Sequence, residues 1–534
     1  MNTQLLLALG ALSLSLYLAV SLARWLRSPL RSVPGPALAH VSDAWYFWTL
    51  KKGHFEEVNK SLHDKYGWST LHPAISKSSS LFFSPATGPV VRYGPNRYSI
   101  DDAEASKTIY GHGTQFPKSE WYSAWQPAPD LWNIFAERSI KRHSHNRRFY
   151  SNAYSMTSLV GYEPYLDECG DIFAQRLLEF SKAGTPVDFG HWFQCFAFDA
   201  VAYVTYGRRL GFLDAGDDVA GVIGSLDSTL VYSSHMGIYP TIHRYIIPWL
   251  KGIASRFGSN ANMYVLNFTQ KRITEERSLP KSVAEPKAAA GAPAVGETFL
   301  SKYLAKHSDD PDNFTNYHIL GGCALNMFAG SDTTGVSLSA VLYHLLKTPA
   351  SLEALQKEVA DFASRGELSL NPTFKQTQQM PYLQAVIKEA LRMHPAVGLP
   401  LERVVPEGGA IIAGRFFPEG SVVGVNSWVQ HRNKTLFGVD ADLFRPERWL
   451  AADEERLSVM NRNWMPFGLG SRTCLGKNVS ILELSKLIPR IIRDFDFKLE
   501  GNAASPSGSW RTENAWFVKP RDFFVRVKPR NAAY

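Results

Sequence analysis

The stretch Phe467-Gly-Leu-Gly-Ser-Arg-Thr-Cys474-Leu-Gly476 sets one cysteine on a glycine-hinged turn, with an aromatic seven residues before it and an arginine two before it. A cysteine does chemistry as its thiolate, which needs positive potential and hydrogen-bond donors to stay deprotonated. The apolar run Val479-Ser-Ile-Leu-Glu-Leu-Ser-Lys-Leu-Ile488 that follows reads as a helix. The unpaired amides and positive dipole end of that helix would face the sulfur. Gly470 and Gly476 permit tight turns and a close backbone approach. An isolated cysteine is usually an inert, buried hydrophobe. Five residue types fixed in this register arise by chance in on the order of one chain in ten thousand. A thiolate site is therefore the stronger reading.

A long helix is predicted from about Thr315 to Lys347, ending before Pro349. Its middle, Ala329-Gly-Ser-Asp332-Thr333-Thr-Gly335, is poorly suited to a buried helix interior. A hydroxyl beside a carboxylate can pass protons. Small residues equally suit a helix–helix contact in which Ser and Thr bond back to their own helix. Further on, Glu389-Ala-Leu-Arg392 places opposite charges on one helix face, ahead of His394-Pro395 and Arg445-Pro-Glu-Arg448-Trp449.

Together these segments resemble the cytochromes P-450, whose cysteine thiolate is an axial ligand of haem iron. The resemblance implies that Cys474 is that ligand, with haem b (iron protoporphyrin IX) as cofactor. Phe467 and Gly468 would lie against the porphyrin, and Arg472 would pair with a propionate. Further cofactor contacts implied are Arg147 and His143, in the register of the family's W-x-x-x-R, and Arg403 on a strand. Histidine stands at 143 in place of the tryptophan, so its role is less well defined than that of Arg147. In the A-G-x-D-T-T groove, Thr333 would hydrogen-bond dioxygen and Asp332 would relay protons from solvent. Glu389, Arg392 and Arg448 would form a buried structural triad that locks the cysteine loop. The expected fold is mainly α with small β-sheets: a triangular helical prism around a buried haem, preceded by one transmembrane helix.

Composition fits this picture. The 534 residues are 45% hydrophobic and carry a net charge of +8. Only four cysteines occur, three of them in apparent helices, which argues for a reducing compartment and against a disulfide framework. No dense basic block or nucleic-acid motif is present. After a short tail (1–4), the apolar run 5–23 is about long enough to cross a bilayer. Arg24, Arg27 and Arg31 follow it and no basic residue precedes it, which predicts an anchor with the body in the cytosol rather than a cleaved signal peptide. Residues 24–36 form a basic, proline-containing hinge, and 37–534 are expected to be one catalytic haem domain. The pattern also predicts a small sheet near 81–100, helix over 139–180 and 260–277, and a surface connection over 281–296.

The segments around Leu399–Arg403, Trp428–His431 and Phe437 look like those of the fungal pisatin-demethylase-like and benzoate-hydroxylase-like group. That implies a microsomal monooxygenase of the endoplasmic reticulum membrane, single-pass, acting on a hydrophobic small molecule. The implied settings are secondary metabolism or oxidation of aromatics and xenobiotics. NADPH would act indirectly, through NADPH–cytochrome P-450 reductase, with cytochrome b5 as a further donor. Lys141, Arg142, Lys477 and Lys486 are candidates to dock the reductase, or else an ordinary solvated face. Trp121, Trp125, Trp132, Phe328, Trp516 and Phe517 are candidates for the pocket wall, or else core. Two alternatives stay open at this level. One is a reductase-independent haem-thiolate isomerase, dehydratase or peroxygenase; the other is a non-enzymatic haem-binding membrane sensor.

Overall fold

The computed structural model describes residues 3–67, 88–126, 131–245, 261–278, 298–505 and 508–530. The expected connection over 281–296 lies outside these residues. Helices of eight or more residues are α1 Thr3–Arg27, α2 Ala44–Lys51, α3 Phe55–Tyr66, α4 Ala103–Tyr110, α5 Ile140–Ser151, α6 Glu163–Ala183, α7 Phe189–Tyr206 and α8 Val222–Met236. They continue with α9 Ala261–Ser278, α10 Phe299–Asp309, α11 Asn316–Lys347, α12 Pro349–Ser364, α13 Pro381–Met393, α14 Glu454–Asn463 and α15 Lys477–Asp494.

The strands are short. β1 Val90–Gly94, β2 Arg97–Ile100, β7 Val422–Gly424 and β4 Arg403–Val404 form one sheet in that order, with β2 and β7 parallel and the other pairs antiparallel. β3 Val187–Asp188, β11 Phe524–Pro529 and β8 Phe495–Leu499 form a second sheet. β5 Ala410–Ile412 with β6 Arg415–Phe417, and β9 Arg511–Asn514 with β10 Val518–Arg521, are two-stranded hairpins.

α11 is the axis of the molecule and packs against α7, α13, α15 and β10. The main core fills the space between them with Phe173, Phe193, Phe198, Leu338, Leu391 and Leu484, all buried. A capping box at Thr315 and His318 starts α11 one residue after the sequence boundary, and the helix runs unbroken through the Gly-Ser-Asp-Thr segment. A Cβ at Gly330 would lie 2.8 Å from Val201, and one at Gly335 3.0 Å from the Gln194 backbone. Those glycines therefore serve the approach of α7, as the packing alternative holds.

The helical stretch expected over 139–180 is helical in separate pieces. α5 stops at Ser151, a 3₁₀ turn covers Asn152–Tyr154, and Ser155 caps a new short helix through the Ser158 amide. α6 then starts afresh with Pro164 in its first turn. At the N-terminus, α1 contains the 5–23 run and ends in Arg24 and Arg27. Leu12, Leu16, Leu22 and Leu26 project from it into solvent. Among the described residues no helix is long and apolar enough to cross a membrane.

Candidate functional site

The cysteine loop is shaped by two left-handed glycines, Gly468 (φ 69°) and Gly470 (φ 62°). A Cβ at Gly470 would fall 1.7 Å from the Tyr110 carbonyl oxygen, so α4 closes on this turn in a way only glycine allows. Gly476, by contrast, has φ −77° and serves as the N-cap of α15. The amide of Cys474 donates to the Phe467 carbonyl at 2.9 Å. Cys169, Cys195 and Cys323 are buried, whereas Cys474 is exposed. Although the residue is exposed, loss of water around the sulfur to the surrounding protein pushes the thiol up. Opposing this are bonds from the Gly476 and Lys477 amides and the positive charges of Arg147 and Lys477. The helix-end donors expected from the sequence are thus in place.

Three of the cations singled out, Arg472, Arg403 and Arg147, converge with His143 and one further basic residue, Lys118. Arg472 donates to the Glu137 and Arg138 carbonyls at 2.5 and 3.4 Å. Arg403, on β4, donates to the Glu402 carbonyl at 2.8 Å and lies 5.1 Å over the Tyr110 ring. Burial lowers Arg472 to about 10, with Arg403 and Arg147 adding to the shift. Burial, then Arg472, Lys118, Arg147 and Arg403, hold His143 near 2, so this ring stays neutral. Lys118 is the member the sequence did not disclose.

On α11, Leu325, Ala329 and Thr333, none of them fully buried, lie in one row at i, i+4 and i+8. The Thr333 hydroxyl donates to the Ala329 carbonyl at 2.7 Å, leaving its oxygen free to accept. Asp332 is 1% exposed. One oxygen accepts from the Gln194 amide; the other lies 2.7 Å from Lys519 Nζ, an ion pair without good hydrogen-bond alignment. Lys519 also pairs with Asp227 of α8, and Arg521 joins Asp227 (3.3 Å) to Glu513 (3.0 Å). Burial opposes the charge on Lys519, but Asp332 and Asp227 outweigh it and raise its pKa.

The triad is assembled as anticipated. Glu389 is fully buried; its two oxygens accept from Arg392 at 2.8 Å each, from Arg448 at 3.2 Å and from Trp449 Nε1 at 2.9 Å. Burial alone would raise this carboxyl, yet the Arg392 bonds and the charges of both arginines hold it below its usual value. His431 links the triad to the cysteine loop, a role not visible in the sequence. Its Nδ1 meets the Arg392 carbonyl at 3.0 Å and its Nε2 accepts the Met465 amide at 2.9 Å, which assigns the Nδ1–H tautomer.

The aromatic candidates separate into two groups. Trp121, Trp125 and Trp516 pack together with ring centres 4.9–5.7 Å apart, and Phe517 bridges to Val397. Trp132 instead packs on Tyr317 and His318 at the start of α11, and Phe328, partly buried, packs against the main core. Lys486 is not a surface cation: it is buried and bound to Asp167 (2.9 Å), Glu163 and the Pro372 carbonyl. Arg142 is committed to Glu137, whereas Lys141 is exposed.

A mainly helical prism with small sheets, a lone open cysteine at a helix N-terminus and a converging set of cations define a haem-thiolate architecture. The chain belongs to the cytochrome P-450 family, whose profile matches residues 84–521. It is 36% identical over 504 residues to pisatin demethylase of Fusarium vanettenii, covering 94% of this chain and 89% of that protein. It is also 36% identical over 517 residues to cytochrome P-450 monooxygenase cicH of Emericella nidulans, covering 95% of each. To cytochrome P-450 monooxygenase gsfF of Penicillium aethiopicum it is 31% identical over 506 residues, 94% of each. The protein is an oxygen-incorporating oxidoreductase, and haem b with an NADPH-linked electron supply is the family's cofactor arrangement.

The residues present fit that group. Among the described residues no three His, Cys, Asp or Glu side chains gather as ligands, so a metal at Cys474 must bring its remaining donors with it. A macrocycle with two carboxylates does so, and also supplies the anions that the cations around Arg472 lack.

Proposed function

We propose that the protein is a membrane-anchored haem-thiolate monooxygenase that inserts one oxygen atom into a bulky, apolar, ring-containing small molecule. Haem held by Cys474 supplies the oxygen-activating redox chemistry. The Gly476 and Lys477 amides favour the thiolate form of Cys474 against the burial that raises its thiol, and Arg403, Arg472, Arg147 and neutral His143 bind the cofactor carboxylates. Asp332 holds and passes a proton, and Thr333 receives it on its hydroxyl oxygen beside the reacting face. Trp125, Phe517 and Val397 seat the substrate and exclude water. Electrons come from a flavin-containing NADPH reductase docking near Lys141 and Lys477, with cytochrome b5 as a further donor. The α1 helix, with leucines exposed and arginines at its end, inserts into the endoplasmic reticulum membrane and leaves the body in the cytosol. The name of one relative, pisatin demethylase, supports an oxidative demethylation, and the setting proposed is fungal secondary metabolism or oxidation of aromatics and xenobiotics.

The observation that carries this reading is Cys474 alone among the cysteines, open, and presented to two helix-end amides. The test is the absorption spectrum of purified protein after dithionite and carbon monoxide. A red-shifted Soret band that disappears in Cys474→Ser supports the reading; a band that is absent, or survives the substitution, sinks it.

A further inference from the structure

Glu56 lies in the first turn of α3 and is 1% exposed. Its neighbour Glu57 stays at the surface and pairs with Lys60 at 2.7 Å. Among the described residues no cation pairs with Glu56, and its Oε1 has no hydrogen-bond partner. The other oxygen accepts from Asn514 Nδ2 at 2.5 Å. Asn514 ends β9 and is as deeply buried. Its Oδ1 accepts the Trp516 amide at 3.0 Å, and its own amide donates to the Gly53 carbonyl at 2.7 Å. A Cβ at Gly398 would fall 2.3 Å from Asn514 Nδ2, so this side chain is wedged between the β9–β10 tip and the segment 396–398. That segment is stitched to the tip: the Gly398 amide donates to the Trp516 carbonyl at 2.9 Å, and Val397 bridges to Phe517.

A carboxyl buried without a cation is destabilising, and an apolar side chain of similar size would suit the fold better. A local penalty of this kind points to function. What Glu56 serves is the orientation of Asn514. Turned over, the amide would set Nδ2 against the Trp516 N–H, donor facing donor, and Oδ1 against the Glu56 oxygen. Without Glu56, Nδ2 would be a buried donor with nothing to bind, and Asn514 would be drawn away from Trp516. Trp516 needs that hold, because a φ of 105° is strained for any residue with a Cβ. We infer that Glu56 is a positioning residue for the substrate wall: through Asn514 it fixes the Trp516 backbone and the placement of Phe517 opposite Val397, and so decides which ring-containing guests the site admits. The inference rests on the assignment of Val397 and Phe517 to that wall. Both Glu56 and Asn514 are buried, so the effect is transmitted rather than made by contact with the guest.

The experiment titrates the full-length holoenzyme with imidazole and with 4-phenylimidazole, two azoles that ligate haem iron, and reads each Kd from the Soret shift. Imidazole is too small to need the wall, whereas the phenyl ring must share the pocket with it. Glu56→Leu should weaken 4-phenylimidazole by about tenfold, the effect of leaving one buried donor without its partner, and leave imidazole within about twofold. Glu56→Gln should keep both, since burial favours the neutral carboxyl and the amide carbonyl can still accept from Asn514. The Glu56→Leu/Asn514→Ala double variant should be no worse than either single one, because all act on the same contact. An unchanged ratio of the two Kd values in Glu56→Leu, a Gln variant as impaired as Leu, or additive losses in the double variant each overturns the inference. Should Glu56→Leu not accumulate as holoenzyme, Asn514→Ala, which removes both bonds and adds no bulk, decides by the same ratio. Phe517→Ala separates the two failures. If it moves the ratio and Glu56→Leu does not, only the role of Glu56 falls; if neither moves it, the wall assignment falls as well.

Discussion

Replacing Glu389 by alanine removes the one carboxylate between two buried guanidiniums. Its oxygens receive two bonds from Arg392, one from Arg448, one from the Trp449 indole and one from the Arg445 amide at 3.0 Å. Arg392 is wholly buried and Arg448 nearly so, so neither can turn to water. Stripping one partner from such a pair costs about 3–5 kcal/mol, a large part of the ~5–15 kcal/mol that holds a typical domain together. Arg392 still has the His431, Ala441 and Leu443 carbonyls, and Arg448 has Asp440 at 2.7 Å, which sets the loss at the lower end of the range. The damage should reach the cofactor, because His431 ties the Arg392 carbonyl to Met465 and Ser427 ties to the Met465 carbonyl at 3.1 Å. Haem-to-protein ratio and urea unfolding of the purified variant measure both effects. Wild-type haem content with a stability loss below about 1 kcal/mol would refute the argument, since a buried triad cannot be that inexpensive to break.

Gly470→Ala forces a Cβ to within 1.7 Å of the Tyr110 carbonyl at φ 62°, so the cysteine loop must shift and haem content should fall sharply; normal incorporation would contradict the geometry. Thr333→Ala should keep haem and substrate binding but lower the product-to-NADPH ratio by about tenfold or more, the missing equivalents appearing as peroxide. Unchanged coupling removes Thr333 from proton delivery. Glu56, buried with one oxygen bonded to Asn514 at 2.5 Å, has its carboxyl raised from 4.5 to about 7 by burial. The folded state therefore binds a proton more tightly than the unfolded chain. The stability linked to Glu56 is fully present below 4.5 and is lost as pH rises through about 7, by about 3 kcal/mol in all. Urea midpoints at pH 5 and 8 should differ less in Glu56→Gln than in the wild type; equal differences would show that Glu56 does not titrate there.

What could be read from the sequence follows the range of the interactions. The cysteine turn, α11 and the Glu389–Arg392 pair are local patterns, and each folds where its spacing placed it. Lys118, Lys519, Gln194 and His431 were invisible because their partners lie dozens to hundreds of residues away, on elements whose register no local pattern reveals. The same blindness misplaced Lys486: a lysine on an amphipathic helix looks like surface until Asp167 and Glu163 from α6 arrive to bury it. The run 139–180 shows a helical pattern throughout because a 3₁₀ turn keeps nearly the same apolar spacing as a helix, and only Ser155 and Pro164 hint at where the pieces divide.

The β9–β10 hairpin carries Trp516 at its tip, in an unusual backbone conformation (φ 105°), and Lys519 three residues later. The tryptophan cluster and the Asp332 counter-ion are thus joined by one short ribbon. Anyone redesigning the tip to admit a larger or smaller guest would also be retuning the carboxylate at position 332. Libraries built at 515–517 should therefore be screened for wasted reducing equivalents as well as for turnover.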